Sequence, residues 1–407
     1  MLFTRSWVMS DAQREADLHH PSPIAHRPLH LALVRQRYTP FGGAERLVSN
    51  AIQALSAEGA SLTVVTRRWE AGDGHDHLIC NPPYLGSLWR DWGFARCVCD
   101  TLKKRSFDLV QSHERIACCD VFRAGDGVHR EWLAQRRRVL GLLGRLRLAL
   151  NPYHHYVLAA EKKLFASPRL KAVICISRMV KEDIQRHYGV PDDKLHIIYN
   201  GVDTTHFHPS LAESHRQPTR AIYDIPPEAP LFLFVGSGFQ RKGLAVVLRA
   251  LAQLPESSHL LVVGRDKQTK ALIRAAEQLG LAGRVHFAGG QEDVRPFYGA
   301  ADALIFPTLY EPFGNVALEA MACGLPVVTS SKSGAAELIR EGENGFICDP
   351  LDHRQLATAM AKLLSPTLRL SAGRAARATV EPMTLETMST QWLALYRQLL
   401  YPLSVQV

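Results

Sequence analysis

At 407 residues the chain is longer than one hydrophobic core ordinarily organises, so two domains are expected. Its 46% hydrophobic and 21% charged residues are ordinary for a globular protein, and no apolar run reaches the roughly 18 residues that a membrane span requires. The net charge of +9 points to an anionic partner, whether nucleic acid, a phosphorylated substrate or a membrane surface.

Residues 1–28 lack the continuous apolar core of a secretory signal and read as a mobile leader, with Met9 as an alternative start. The chain is therefore expected in the cytoplasm. Short apolar runs then alternate with amphipathic stretches, the pattern of parallel sheets with crossover helices. In residues 29–203 the runs LHLALV (29–34), SLTVVT (61–66), DLVQS (108–112) and AVICIS (172–177) predict strands, and a helix starts near Gly43. Residues 204–228, rich in Pro, His and Ser with little periodicity, read as a linker. In residues 229–385 strands are expected at LFLFVGS (231–237), HLLVVGR (259–265), RVHFAGG (284–290), ALIFPT (303–308) and PVVTS (326–330). Residues 386–407 read as a helix returning to the N-terminal domain. The fold class is α/β, with two doubly wound Rossmann-like domains facing a central cleft at the carboxyl ends of their sheets, where ligands of such sheets bind. The eight cysteines show no C-x2-C spacing, and buried reduced thiols are expected.

The informative stretch runs from Glu311 through Pro312, Phe313, Gly314, Asn315 and Val316 to Glu319, with a helix expected to start near Gly314. A glycine there lets backbone approach a ligand, and the free N–H groups of a first helical turn suit a phosphate. Two carboxylates eight residues apart can reach different hydroxyl-rich parts of one ligand. The plainer alternative has Glu311 capping the helix and Glu319 in solvent. After the first strand of the same half, Gly236-Ser237-Gly238-Phe239-Gln240-Arg241-Lys242-Gly243 opens another helix. Its glycines and adjacent Arg-Lys pair fit a diphosphate, Arg as a planar fork and Lys as a point charge. The order of residues is not that of a P-loop. In the first half, Gly42 and Gly43 form a tight turn that would bring backbone against a donor phosphate or sugar.

Together, YTPFGGAER, VGSGFQRKG, LLVVGRDK, the Glu311–Glu319 pair and Asn200-Gly201-Val202-Asp203 resemble the retaining glycosyltransferases of family four, whose fold is GT-B. Within that family the chain is most similar to the group that puts glucose on heptose of the lipopolysaccharide inner core. The resemblance implies that Arg241 and Lys242 hold the diphosphate of a UDP-sugar donor. It implies further that Glu311, with the backbone of Phe313 and Gly314, contacts the transferred sugar and that Glu319 binds the ribose. Gly42 and Gly43 would close over the donor, and Asp126, or His129 beside it, would stand near the reacting centre.

No two aspartates have the Asp-x-Asp spacing of metal-gripping glycosyltransferases, so no metal and no other cofactor is expected. The resemblance implies retention, and in the absence of a convincing carboxylate nucleophile, front-side attack is preferred over double displacement. Between residues 130 and 163, Trp132, Val139, Leu142, Leu143, Leu146 and Leu150 recur near helical spacing beside Arg136, Arg137, Arg138, Arg145 and Arg147. That is the pattern of an interfacial helix, expected to meet an anionic membrane or a phosphorylated glycolipid acceptor; the alternative is an apolar face packed on its own domain. Nucleic acid is set aside because no recognition motif accompanies the charge. The competing functions are a family-four transferase with another donor such as UDP-N-acetylhexosamine, a nucleotide-sugar epimerase, and a non-catalytic binding module.

Overall fold

A computed structural model describes residues 29–38, 61–69 and 76–401. Seven parallel strands form the N-terminal sheet, in the order Asp76–Ile79, Ser61–Thr66, His30–Val34, Leu109–Ser112, Val121–Arg123, Ala172–Cys175 and Leu195–Ile197. Six parallel strands form the second sheet, in the order Val285–Gly289, His259–Val263, Leu231–Val235, Ala303–Phe306, Val327–Ser330 and Gly345–Cys348. The central strands LFLFV and HLLVV are buried at every position. Continuous apolar runs are what sheets covered on both faces require. Each half is thus a Rossmann-like layer, and the whole is a GT-B architecture.

Strand order reverses between His30–Val34 and Leu109–Ser112 in the first sheet, and between Leu231–Val235 and Ala303–Phe306 in the second. These reversals part the connecting segments and open a crevice at the carboxyl ends. The two crevices face one another.

The segment read as a linker contains a helix, Leu211–Ile222, packed against the helix Arg295–Ala300. Gly299 permits the approach, since a Cβ there would stand 2.5 Å from the Leu211 carbonyl oxygen. Arg220, 1% exposed, donates to the carbonyls of Ala300, Pro226, Pro227 and Ala229 and to Asp302. Asp302 also accepts from the Leu231 N–H, so this segment is anchored to the first strand of the second sheet. The prolines and histidines that suggested a loop hide an anchor whose partner lies about 80 residues away.

The helix Leu385–Leu400 crosses back and lays Met388, Trp392, Leu393 and Tyr396 on Leu31, Leu33, Val64 and Leu109 of the first sheet. Where the two crossings meet, the Val202 N–H donates to the Met383 carbonyl at 2.9 Å. The cysteines depart from expectation at one pair: Cys99, on the helix Gly86–Leu102, is disulfide-bonded to Cys118. They lie 19 residues apart, and only packing of that helix against the loop after Leu109–Ser112 brings them together. Five of the remaining cysteines, Cys80, Cys119, Cys175, Cys323 and Cys348, are buried free thiols.

Candidate active site

The loop after Leu231–Val235 is built on glycine. Gly236, Gly238 and Gly243 hold φ of 119°, 80° and 83°, a region other residues rarely adopt. They bracket a single helical turn, Phe239–Lys242, pinned by the Phe239 N–H donating to Asp266. Lys242 folds back over Gly236 so closely that a Cβ there would collide with the ammonium. That ammonium lies 5.1 Å from the Phe306 ring centroid. Burial pushes its pKa down, while Glu311 and, more weakly, Glu319 pull it up. Among the described residues no carboxylate reaches it at ion-pair distance.

From the other side of the switch point, the segment after Ala303–Phe306 supplies Glu311, whose carboxylate accepts from Arg241 at 2.5 Å. Gly314, at φ 94°, then starts the helix Asn315–Ala322. Asn315 accepts from Asn200 Nδ2 of the opposing half at 2.7 Å. Phe313 is buried, with its ring 5.7 Å from that of Tyr199.

Arg241, Lys242, Glu311, Phe313, Gly314, Asn315 and Val316 line one cavity of about 610 Å³ between the halves. Asp126 faces them from the N-terminal half, and Gly236 lies behind Lys242. Two expected residues stand apart. Glu319 is not in that lining; deeper along its helix, it accepts from the Tyr298 hydroxyl at 2.8 Å. His129 turns away to meet His154 at 3.1 Å, and burial, then Arg115, push its pKa down to about 4. Of the pair Asp126 and His129, the cavity therefore contains the aspartate, which lies 3.7 Å from Arg115. Gly42 and Gly43 lie outside the described residues.

Sequence reasoning missed the N-terminal wall. Arg35 and Arg37 follow the strand His30–Val34, His113, Glu114 and Arg115 follow Leu109–Ser112, and Arg123 ends Val121–Arg123. Their common signal was position: all stand at carboxyl ends of strands beside the switch point. They form no motif.

The halves are latched beside this site. Tyr310 accepts from the Val128 N–H at 2.9 Å and donates to Asp183 at 3.1 Å. Burial, then Glu131, raise the Asp183 pKa to about 6. Glu131, Asp183 and His187 come close enough to share an ion, but Arg186 and Lys332 already compensate them.

The basic arm divides, which corrects its reading as one patch. Arg136 packs over the Trp132 ring at 5.9 Å, and both line a groove with Gly238 and Arg241 of the glycine-built loop after Leu231–Val235. Arg138 reaches across to Asp349 at 3.0 Å. These three residues serve the junction of the halves. The next helix, Leu142–Ala149, differs: Leu142, Leu143, Leu146 and the following Leu150 are 84%, 75%, 55% and 70% exposed. Arg137, Arg145 and Arg147 are exposed around them. Among the described residues no helix is long and apolar enough to cross a membrane.

Residues 215–379 match the family of glycosyl transferases group 1, and residues 41–206 match glycosyltransferase family 4. The lipopolysaccharide glucosyltransferase WaaG of Escherichia coli K12 is 31% identical over 355 residues, covering 85% of this chain and 93% of that protein. The lipopolysaccharide core biosynthesis glycosyltransferase LpsE of Rhizobium meliloti is 38% identical over 146 residues, 36% of this chain and 43% of that one. A crystal structure of WaaG, described as a glycosyltransferase involved in lipopolysaccharide biosynthesis, is similar at a TM-score of 0.77 and 28% identity, over 90% of this chain and 99% of that chain.

Proposed function

The chain belongs to glycosyltransferase family 4, and from that premise we propose that it moves a hexose, glucose from UDP-glucose, onto a heptose of the lipopolysaccharide inner core. The observation that carries this reading is the convergence of Arg241, Lys242 and Glu311 on one cavity whose other wall belongs to the N-terminal half. Relatives named as a lipopolysaccharide glucosyltransferase and as a lipopolysaccharide core biosynthesis glycosyltransferase supply the substrate class.

In this reading Lys242 and Arg241 neutralise the diphosphate as it leaves, without a metal. A buried ammonium with a lowered pKa regains its charge preference when an anion arrives. Glu311 orients the Arg241 fork and contacts the sugar, with the backbone of Phe313 and Gly314 beside it. The first-turn N–H groups at Asn315 and Val316 face the phosphate, and Glu319, one helical turn behind that lining and bonded to Tyr298, takes the ribose where the nucleotide extends past the cavity. Transfer proceeds with retention by front-side attack. The bond from the anomeric carbon to the phosphate oxygen breaks, the acceptor oxygen bonds that carbon, and its proton passes to the departing phosphate. Asp126 stands on the acceptor side of this centre.

The leucines of Leu142–Ala149, with Arg137, Arg145 and Arg147, rest on the anionic cytoplasmic face of the inner membrane, where the glycolipid acceptor resides. The test is incubation with UDP-glucose and UDP-N-acetylglucosamine, with and without truncated core glycolipid. Acceptor-dependent UDP release with UDP-glucose is expected. Sugar interconversion without acceptor would mark an epimerase, and preference for the N-acetylhexosamine would replace the donor assignment.

A further inference from the structure

Arg123 is 5% exposed, yet it lines the cleft. Its Nη2 donates to Asn200 Oδ1 at 2.6 Å, while its Nε is buried with no hydrogen-bond partner. Its guanidinium lies 5.6 Å from the Trp392 ring centroid. Neighbouring cations on this wall have carboxylates: Arg115 pairs with Glu161 at 2.9 Å, and Arg90 with Asp91 at 2.7 Å. Among the described residues no carboxylate reaches Arg123 at ion-pair distance. Arg35 and Asp126 act on it with opposite signs, Arg35 the more strongly. Burial, then Arg35, pull its pKa down to about 10.

Arg35 lines the same cavity, with its Nη1 3.2 Å from His113 Nδ1. Burial, then Arg123 and Arg35, hold His113 well below its usual pKa, so the imidazole stays neutral beside the Arg35 guanidinium, with its Nε2 against the Gln111 amide at 3.1 Å. In front of Arg123 stands Gly125, where a Cβ would come within 2.7 Å of Nη1. Glycine keeps that face of the fork open to the cavity. A buried guanidinium with an unused donor is costly unless something supplies an anion.

We propose that Arg123, flanked by Arg35, is an anion subsite on the acceptor side of the cleft, taking a phosphate or carboxylate carried by the acceptor. This rests on the reading of the cleft as a transferase site. It adds what that reading lacks: the feature by which an acceptor is told from a neutral glycan. The donor diphosphate has its own cations, Arg241 and Lys242, on the opposite wall.

Two measurements test it. The first is calorimetry of inorganic phosphate against protein saturated with UDP, which needs no turnover. Wild type should bind phosphate, and Arg123→Met should weaken that binding at least tenfold while keeping its affinity for UDP. Unchanged phosphate binding in a folded Arg123→Met variant overturns the proposal. The second is acceptor kinetics with truncated core glycolipid in three forms: intact, phosphatase-treated and carboxyl-amidated. Loss of one buried charge-assisted contact should raise the KM of Arg123→Met for intact acceptor about 30-fold, more than it changes kcat. Whichever treatment erases the difference between wild type and variant identifies the anion. Equal KM values for intact acceptor overturn the subsite. If wild type glycosylates no acceptor but phosphate binding follows Arg123, the transferase reading fails and the subsite stands. Should Arg123→Met fold poorly, Arg35→Gln carries both measurements with a smaller change, about tenfold.

Discussion

On the C-terminal wall of the cleft Arg241 is matched by Glu311 across a single strand switch point, whereas on the N-terminal wall Arg35, His113 and Arg123 arrive from three strand ends and no carboxylate touches Arg123. In the first arrangement Arg241 is balanced by Glu311 before any ligand enters, Lys242 stands beside them with no carboxylate at ion-pair distance among the described residues, and the loop is preorganised by glycines at positive φ. The second keeps the charge of Arg123 without a carboxylate at ion-pair distance among the described residues. A wall that grips a constant part, such as a diphosphate, can be encoded compactly. A wall that selects an acceptor draws on whatever strand ends the sheet order places together.

The largest expected effect falls on Lys242. Lys242→Met should lower turnover at saturating donor roughly 100- to 1000-fold, the scale of one preorganised charge. Stability should move the other way. Burial lowers the Lys242 pKa in the folded state, so the unfolded chain binds the extra proton as pH rises through the window between the depressed value and the ordinary lysine value. Wild-type stability without ligand should therefore gain from Lys242 across that alkaline window, and the Met variant should lose this gain. UDP affinity should fall over the same window in wild type and stay flat in the variant. Thermal melts and calorimetry against pH measure both. Near-normal turnover in Lys242→Met would dissolve the contrast between the walls.

A smaller split is expected within the C-terminal wall itself. Glu319→Gln should weaken UDP binding about tenfold, since a ribose hydroxyl bonded to a charged acceptor loses part of its interaction. Glu319→Ala would also leave the buried Tyr298 hydroxyl with only the longer bond to the Val316 carbonyl at 3.3 Å, adding about 1 kcal/mol of instability. Glu311→Ala should spare UDP and impair turnover, because the ion pair with Arg241 points into the cavity. Equal UDP affinity in both variants would erase the division between sugar and ribose.

What was legible in the sequence followed the same contrast. Contiguous features could be read: the buried runs LFLFV and HLLVV, the Arg241-Lys242 loop, and the helix starting after Gly314. Features made by tertiary packing could not. Arg220 finds Asp302 across the sheet edge, Cys99 finds Cys118 across a helix, and Arg123 gains Arg35 as a neighbour only through strand order. Helical spacing also placed Trp132 with the leucines of the next helix. A break near Val139–Gly141 sends the two faces to different neighbours.

That break gives the last prediction, in which chemistry should change least. Before the break, Arg138 pairs with Asp349, and Trp132 and Arg136 face the donor-side loop. After it, Leu142, Leu143, Leu146 and Leu150 are exposed together, an arrangement that leaves apolar surface in water unless a bilayer covers it. Changing these four to Ser should lower co-sedimentation with anionic vesicles by a similar factor at every ionic strength, because apolar attraction is not screened by salt. Replacing Arg137, Arg145 and Arg147 by Gln should cost about 1 kcal/mol for each charge near the surface, and the deficit should shrink at high salt. Arg138→Gln should sediment like wild type, since its guanidinium is held by Asp349. UDP affinity and transfer to a soluble short-chain acceptor should survive the leucine changes, because none of these residues lines the cleft. If the four-Ser variant sediments normally while Arg138→Gln does not, the docking surface lies before the break and the division of the arm is wrong.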